Sequence, residues 1–255
     1  KRTSLVRKRT GIGLFISRNY YIWGNKQKME NSINIFEKGK TFSSYHFYNN
    51  FLKDVASFYR SHTKDDVIEF NLVIDDEIPD SNSYFIDPIT LPLIVSLSEQ
   101  LMKFHNSSLK LNLSNNYNTN NLLAFLDRSE FFYLVGDNTN PTYPKGRNIF
   151  LFDTRYIGNF NNRIQKPEHK LREYSLKEDN LEEEIKKINT SEDQRDFLVE
   201  HYLYKVKEHF GVLLNSNDIT KEMSYEYIDI LAELITNGVL HSESNTYVLM
   251  FTDRF

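Results

Sequence analysis

Helical and strand-like patterns of apolar residues alternate along the first two thirds of the chain. Apolar residues that recur every three or four positions predict helices at residues 44–62, 85–104 and 120–134. Short runs rich in β-branched or alternating apolar residues predict strands at residues 67–74, 109–113 and 147–153. Since strands and helices that alternate along a chain pack in layers, we expect an α/β fold with a parallel or mixed sheet.

A charge-rich stretch at residues 161–190 separates this region from the last part of the chain. Its Glu182-Glu-Glu-Ile-Lys-Lys187 run has opposite charges at helical spacing, so we predict a solvated helical connector. Ser191 and Gln194 form a capping-box pattern that starts a helix, and Gly211 is expected to end it.

The predicted organisation therefore has four parts. They are a basic and aromatic leader at 1–28, an α/β domain at 29–160, the connector at 161–190 and a final domain at 191–255.

Composition narrows the classes of function. The 255 residues contain no cysteine, which excludes disulfides, thiolate catalysis and cysteine-based zinc sites. A net charge of −4 gives no overall attraction to nucleic acid or to an anionic membrane. No apolar run approaches the roughly 20 residues that a membrane span needs. We therefore predict a cytoplasmic protein with no membrane association.

The basic and aromatic leader at residues 1–28 has features of a nucleic-acid-binding arm. Basic residues in the first nine positions precede Tyr20, Tyr21 and Trp23, and such a combination can contact phosphates and stack on bases. Five charges make a small patch, however, and the rest of the chain is acidic. Nucleic acid is therefore not the partner that we predict.

The most informative segment lies near the end of the chain, at residues 227–241. Read as a helix, it places Glu233, Asn237 and His241 at i, i+4 and i+8, along one face. A carboxylate one turn before a carboxamide can serve Mg-ATP, one as base or water holder and the other as metal ligand. The same spacing also describes the polar face of an ordinary amphipathic helix. Asn237 and Gly238 are unfavourable in a helix interior, which favours a functional reason for them.

The order helix, loop, helix with Glu-x-x-x-Asn-x-x-x-His, then the strand 246–251 resembles the opening half of a Bergerat-type ATPase domain. This GHKL group includes gyrase-like, Hsp90-like, histidine-kinase and anti-sigma-kinase proteins. The matching residues are Glu233, Asn237, Gly238 and His241, and their context is most similar to that of anti-sigma serine kinases. The fold implied for residues 191–255 is thus the first part of a two-layer α/β ATPase.

The resemblance implies a role for each matching residue. Asn237 would coordinate Mg²⁺ bridging the ATP phosphates, and Glu233 would polarise the attacking water or acceptor hydroxyl. His241 would lie near the phosphates, and Gly238 would allow the nucleotide to pack closely. The family's Asp-x-Gly-x-Gly segment, which reads adenine, and its glycine-rich lid have no match in these residues. We therefore expect only the N-terminal half of the ATPase domain here.

Residues 40–140 resemble small STAS-type domains, through the element order and the Phe85-Ile-Asp-Pro88 run. This resemblance implies a mixed sheet with helices and a partner-binding sheet edge. Together, the two resemblances predict an Mg-ATP-binding regulatory protein, either an ATPase or a serine/threonine protein kinase. Hydrolysis or phosphotransfer would switch association with a protein partner, and the chain would form a homodimer. The alternative is a non-enzymatic interaction module with an incomplete ATPase fold.

Overall fold

The computed structural model describes residues 31–37, 41–63, 65–74, 86–157, 169–215, 218–241 and 245–251. The chain divides into a short unit of residues 1–30, which is outside these ranges, and a unit of residues 31–255. The leader predicted at 1–28 therefore lies outside the described residues.

The described unit alternates strands and helices in its first half, as expected. The strands are β1 (Ser32–Asn34), β2 (Glu69–Leu72), β3 (Leu109–Leu113), β4 (Phe150–Leu151), β5 (His169–Tyr174) and β6 (Thr246–Phe251). The α-helices are α1 (Ser44–His46), α2 (Leu52–Ser61), α3 (Thr90–His105), α4 (Tyr117–Arg128), α5 (Phe131–Val135), α6 (Glu182–Ile185), α7 (Ser191–Leu214), α8 (Asp218–Glu222) and α9 (Ser224–His241). A π-helical turn at Phe47–Phe51 joins α1 to α2, and a 3₁₀ turn covers Thr154–Tyr156. The predicted α/β class is confirmed.

The first four strands form one sheet in the sequential order β1-β2-β3-β4, and each neighbouring pair is parallel. The mixed sheet implied by the STAS resemblance is therefore wrong for this sheet. Helices separate β1 from β2, β2 from β3 and β3 from β4, so the chain can return to the same end of the sheet before each new strand.

One face of this sheet is apolar and the other is polar. Phe70 and Leu111 are buried among the helices, whereas the alternate positions carry amides and charges. The Asn71 side chain donates to Asn34 Oδ1 at 2.9 Å, and Asn112 donates to Asn71 Oδ1 at 2.8 Å. Parallel sheets are usually covered on both faces. Here the strict alternation in β2 and β3 leaves a row of hydrogen-bonded amides on the less covered face.

The helix predicted at 120–134 is two helices, α4 and α5, separated at Ser129 and Glu130. Glu130 has a left-handed backbone, with φ 61°. The Ser129 carbonyl, which a continuing helix would use internally, instead accepts a hydrogen bond from the Leu171 N–H at 3.0 Å. The break therefore exists because β5 contacts this point.

A helix through the 161–190 connector is wrong for most of its described part. Residues 169–174 form β5, which pairs antiparallel with β6, and only Glu182–Ile185 is helical. The charge-rich composition indicated a solvated helix, but two of the charged residues form ion pairs inside the fold. Arg172 pairs with Glu130, and the largely buried carboxylate of Glu173 pairs with Arg147 at 2.6 Å.

The helices α7 and α9 pack along each other and lie on one face of the β5–β6 pair. The start of α7 is capped by Thr190, whose hydroxyl accepts from the Asp193 N–H at 3.1 Å, so the Ser191–Gln194 capping box is wrong. Gln194 instead donates to the carbonyls of Ile185 and Ile188. The helix also continues through Gly211 to its end at Leu214.

The opposite face of the β5–β6 pair packs against α3 and the hydrophobic core that contains Phe70 and Leu111. The buried carboxylate of Glu99 accepts hydrogen bonds from Asn245 at 2.7 Å and from the Tyr247 hydroxyl at 2.8 Å. Lys103 adds an ion pair at 2.8 Å. These partners offset the cost of burying the Glu99 charge. Through them, Glu99 connects α3 to Asn245 and Tyr247, which follow α9 in the chain.

No described helix combines the length and the apolar character that crossing a membrane requires.

Candidate functional site

The predicted site lies on α9, whose orientation is set by its apolar residues. One side of this helix faces α7 and the sheet and is buried, at Ser224, Ile228, Ala232, Ile235, Thr236 and Val239. Successive residues turn by about 100° around a helix. Residues on the opposite side of the helix are therefore turned away from the core.

Glu233, Asn237 and His241 all lie on this outer side of α9. Asn237 and His241 are exposed, and the Glu233 side chain is partly exposed. Their alignment on one helix face follows from the observed helix. The roles of these residues in nucleotide binding stay predictions.

The structure adds a partner to Glu233 that the sequence did not indicate. Arg195, in the second turn of α7, forms an ion pair through its Nη2 with Glu233 Oε2. Both side chains are partly exposed, so the pair stabilises the fold by about 0–1 kcal/mol. The pair also restricts the position of the Glu233 carboxylate. Arg195, the only described cation paired with this carboxylate, lies on the neighbouring helix α7. Residues 38 positions apart carry no local signal of such a contact.

Gly238 has a packing role in the described structure. A β-carbon at this position would lie 2.5 Å from Thr246 Oγ1 and 3.0 Å from Thr246 Cγ2. The absence of a side chain therefore lets α9 approach the first residue of β6. This contact is sufficient to explain why a glycine occurs inside the helix, and it requires no nucleotide. A nucleotide-binding role for Gly238 stays a prediction.

The described residues contain no group of three or more His, Asp or Glu side chains placed to hold a metal ion. A magnesium site, however, needs fewer protein ligands than such a group provides. Mg²⁺ commonly takes one or two protein oxygens and completes its shell with water and phosphate oxygens. Glu233 and Asn237, one turn apart and open to solvent, offer oxygens of the right kind.

A cleft of about 420 Å³ lies elsewhere, beside β3 and β4. Lys110, Asn112, Asp153 and Tyr156 are among its lining residues, and none of the predicted site residues borders it.

A row of exposed apolar side chains lies next to the predicted site on α9. Leu234 is 60% exposed, Ile230 55% and Tyr227 38%. Their spacing of three and four residues makes them neighbours on the helix surface. We call these three residues the α9 row. Single exposed apolar residues are common, whereas large contiguous apolar patches often mark interaction surfaces.

Comparisons of the chain with protein-family models, with curated proteins and with solved structures found no match.

Proposed function

We propose that this protein binds Mg-ATP on the outer face of α9 and uses hydrolysis or phosphotransfer to regulate association with a protein partner. The observation that supports the proposal is the alignment of Glu233, Asn237 and His241 on a solvent-facing side of α9. The packing of α7 and α9 over the antiparallel β5–β6 pair agrees with the two-layer arrangement that the resemblance implies.

Each residue has a chemical task in this proposal. The Asn237 amide oxygen would hold Mg²⁺, and His241 would lie near the phosphates. Glu233 would orient a water molecule or an acceptor hydroxyl and accept its proton. Mg-ATP supplies the transferable phosphoryl group. Arg195 would keep the Glu233 carboxylate in place until this ion pair is exchanged for contacts to phosphate.

Asn237→Ala is expected to lower the affinity for Mg-ATP at least about 10-fold, a loss of about 1.4 kcal/mol. Glu233→Gln should retain ATP binding and lose turnover, because an amide cannot accept the proton. Calorimetric titration with and without Mg²⁺ measures binding, and phosphate release measures turnover.

Glu226→Gln is the matched control, since Glu226 is an exposed carboxylate on the same helix outside the proposed site. This variant should bind and turn over ATP like the parent protein. Equal Mg-ATP affinity for the parent protein and Asn237→Ala would overturn the assignment.

The proposal includes a cytoplasmic location, a homodimer, and a protein partner bound through the α/β domain of residues 29–160. Support for these parts comes from composition and from the two family resemblances.

The second candidate is a non-enzymatic interaction module, and the exposed α9 row favours it. It predicts that Mg-ATP leaves the melting temperature unchanged. A saturating nucleotide that binds the folded state would raise that temperature.

A further inference from the structure

Arg195 brings to the outer side of α9 a positive charge that lysine or arginine of this helix does not supply. The sequence of α9, Ser224–His241, contains neither residue, and its proposed base, Glu233, is a carboxylate. Mg²⁺ neutralises only part of the charge of a bound triphosphate. An ATP molecule beside Glu233 would therefore be repelled by that carboxylate unless a cation lies close to it. Among the described residues, Arg195 of α7 is the cation paired with Glu233.

The place of the terminal phosphate of ATP in this site follows from the task proposed for Glu233. A general base must lie within hydrogen-bond reach of the group that it deprotonates, directly or through one water molecule. That group attacks the terminal phosphorus, so this phosphate would lie close to Glu233 and to the Arg195 guanidinium that contacts it. Asn237 lies about 40° around α9 from Glu233 and about 6 Å along it, so Mg²⁺ on Asn237 could reach the same phosphate.

The contact between Arg195 and Glu233 can be exchanged for another. The one hydrogen bond described between them joins Nη2 to Glu233 Oε2, and Nη1 lies 3.8 Å from the Asp196 carboxylate. The pair is therefore not the bidentate arrangement in which a guanidinium and a carboxylate interact most strongly. Both side chains of the pair are partly exposed, so solvent weakens their attraction further. The guanidinium can thus leave Glu233 without stranding a buried charge.

A terminal phosphate is a stronger partner for Arg195 than Glu233 is. It carries a larger negative charge than a carboxylate and offers three oxygens to the planar fork of N–H groups. ADP ends one phosphate earlier, so its last phosphate would lie farther from Glu233 when its base and sugar are bound in the same place. The exchange therefore requires the third phosphate, and it leaves the Glu233 carboxylate free to accept a proton.

We propose that Arg195 binds the terminal phosphate of ATP, releases Glu233 by this exchange, and so makes the site selective for ATP over ADP. This inference rests on the proposed ATP site and deepens it, with Arg195 as a specificity-determining residue. Without nucleotide, the ion pair occupies Glu233 Oε2 and keeps the base blocked until a triphosphate is bound.

The test compares the parent protein with Arg195→Ala by calorimetric titration. The probes are the Mg²⁺ complexes of ADP and of the β,γ-imido analogue of ATP, which is not hydrolysed. Arg195→Ala should bind the analogue at least about 10-fold more weakly, because a charge-assisted hydrogen bond to phosphate is lost. Its affinity for ADP should change by less than about 2-fold. Lys207→Ala is the matched control, since Lys207 is an exposed cation of α7 about three turns beyond Arg195. It should leave both affinities unchanged.

The ratio of the two affinities separates phosphate binding from a structural role. Equal losses for ADP and the analogue in Arg195→Ala would show that the substitution disturbs the fold, and they would overturn the inference. An unchanged affinity for the analogue would also overturn it.

Asn237→Ala, titrated alongside, tests the ATP site itself. If this variant loses the analogue and Arg195→Ala does not, the ATP site stands and the role of Arg195 fails. If the parent protein does not bind the analogue, or binds it no better than Asn237→Ala does, the proposed function fails, and this inference fails with it.

Discussion

Gly238→Ala is expected to lower the free energy of unfolding by about 1–3 kcal/mol, the usual cost of an overpacked contact. Helix propensity alone predicts the opposite, since alanine is favoured over glycine by about 1 kcal/mol inside a helix. The added methyl group would be 2.5 Å from Thr246 Oγ1 and 3.0 Å from Thr246 Cγ2. Because both γ positions are close, any rotation of the threonine side chain leaves one γ atom in contact with the methyl group, so α9 and β6 must separate. Urea denaturation measures the change.

Gly211 provides the matched control, because it is also a glycine within a long helix. A β-carbon there would meet only Lys207 Cγ, at 4.0 Å, so Gly211→Ala should stabilise the protein by about 0.5–1 kcal/mol. Combining Gly238→Ala with Thr246→Ala should recover much of the loss, as expected for residues in direct contact. The packing argument would be refuted by a Gly238→Ala protein that is as stabilised as Gly211→Ala.

Asp127→Asn is expected to remove a pH dependence of stability worth up to about 3 kcal/mol. Asp127 is only 1% exposed, and neither carboxylate oxygen has a hydrogen-bond partner among the described residues. Burial raises the pKa of Asp127 to about 6, from an ordinary value of 3.8. Its place in the last turn of α4, where the helix dipole is negative, also disfavours the charged form.

The direction of the pH dependence follows from the higher pKa of Asp127 in the folded state than in the unfolded state. Below about pH 4, Asp127 is protonated in both states and costs nothing, and the cost grows as the pH rises to about 6. The parent protein should therefore lose stability relative to Asp127→Asn between pH 4 and pH 7. Denaturant titrations of both proteins at these two values measure the difference between them.

Asp137 should show the opposite sign, because hydrogen bonds from Thr139 lower its pKa below the usual value. Asp137→Asn should lose stability relative to the parent protein as the pH rises through the carboxylate range. A constant difference between the parent protein and Asp127→Asn across this range would show that the Asp127 carboxylate is solvated or paired in solution.

The sequence alone determined the elements whose apolar pattern is strong and local. Strands β3 and β6 have the predicted limits, Leu109–Leu113 and Thr246–Phe251, and the helix predicted at 227–241 lies within α9. The shared face of Glu233, Asn237 and His241 was likewise predictable, since helical spacing places such residues together wherever a helix forms.

Only the tertiary structure decided the features that depend on distant residues. The sequence pattern does not predict strand β5, because its charged residues have partners elsewhere in the fold. Its pairing with β6 joins residues about 70 to 80 positions apart. The break at Glu130, the reason for Gly238 and the Arg195–Glu233 pair likewise come from neighbouring elements. The local spacing of apolar residues predicts which side of a helix or strand is buried. Which residues that side contacts depends on how the layers pack against each other.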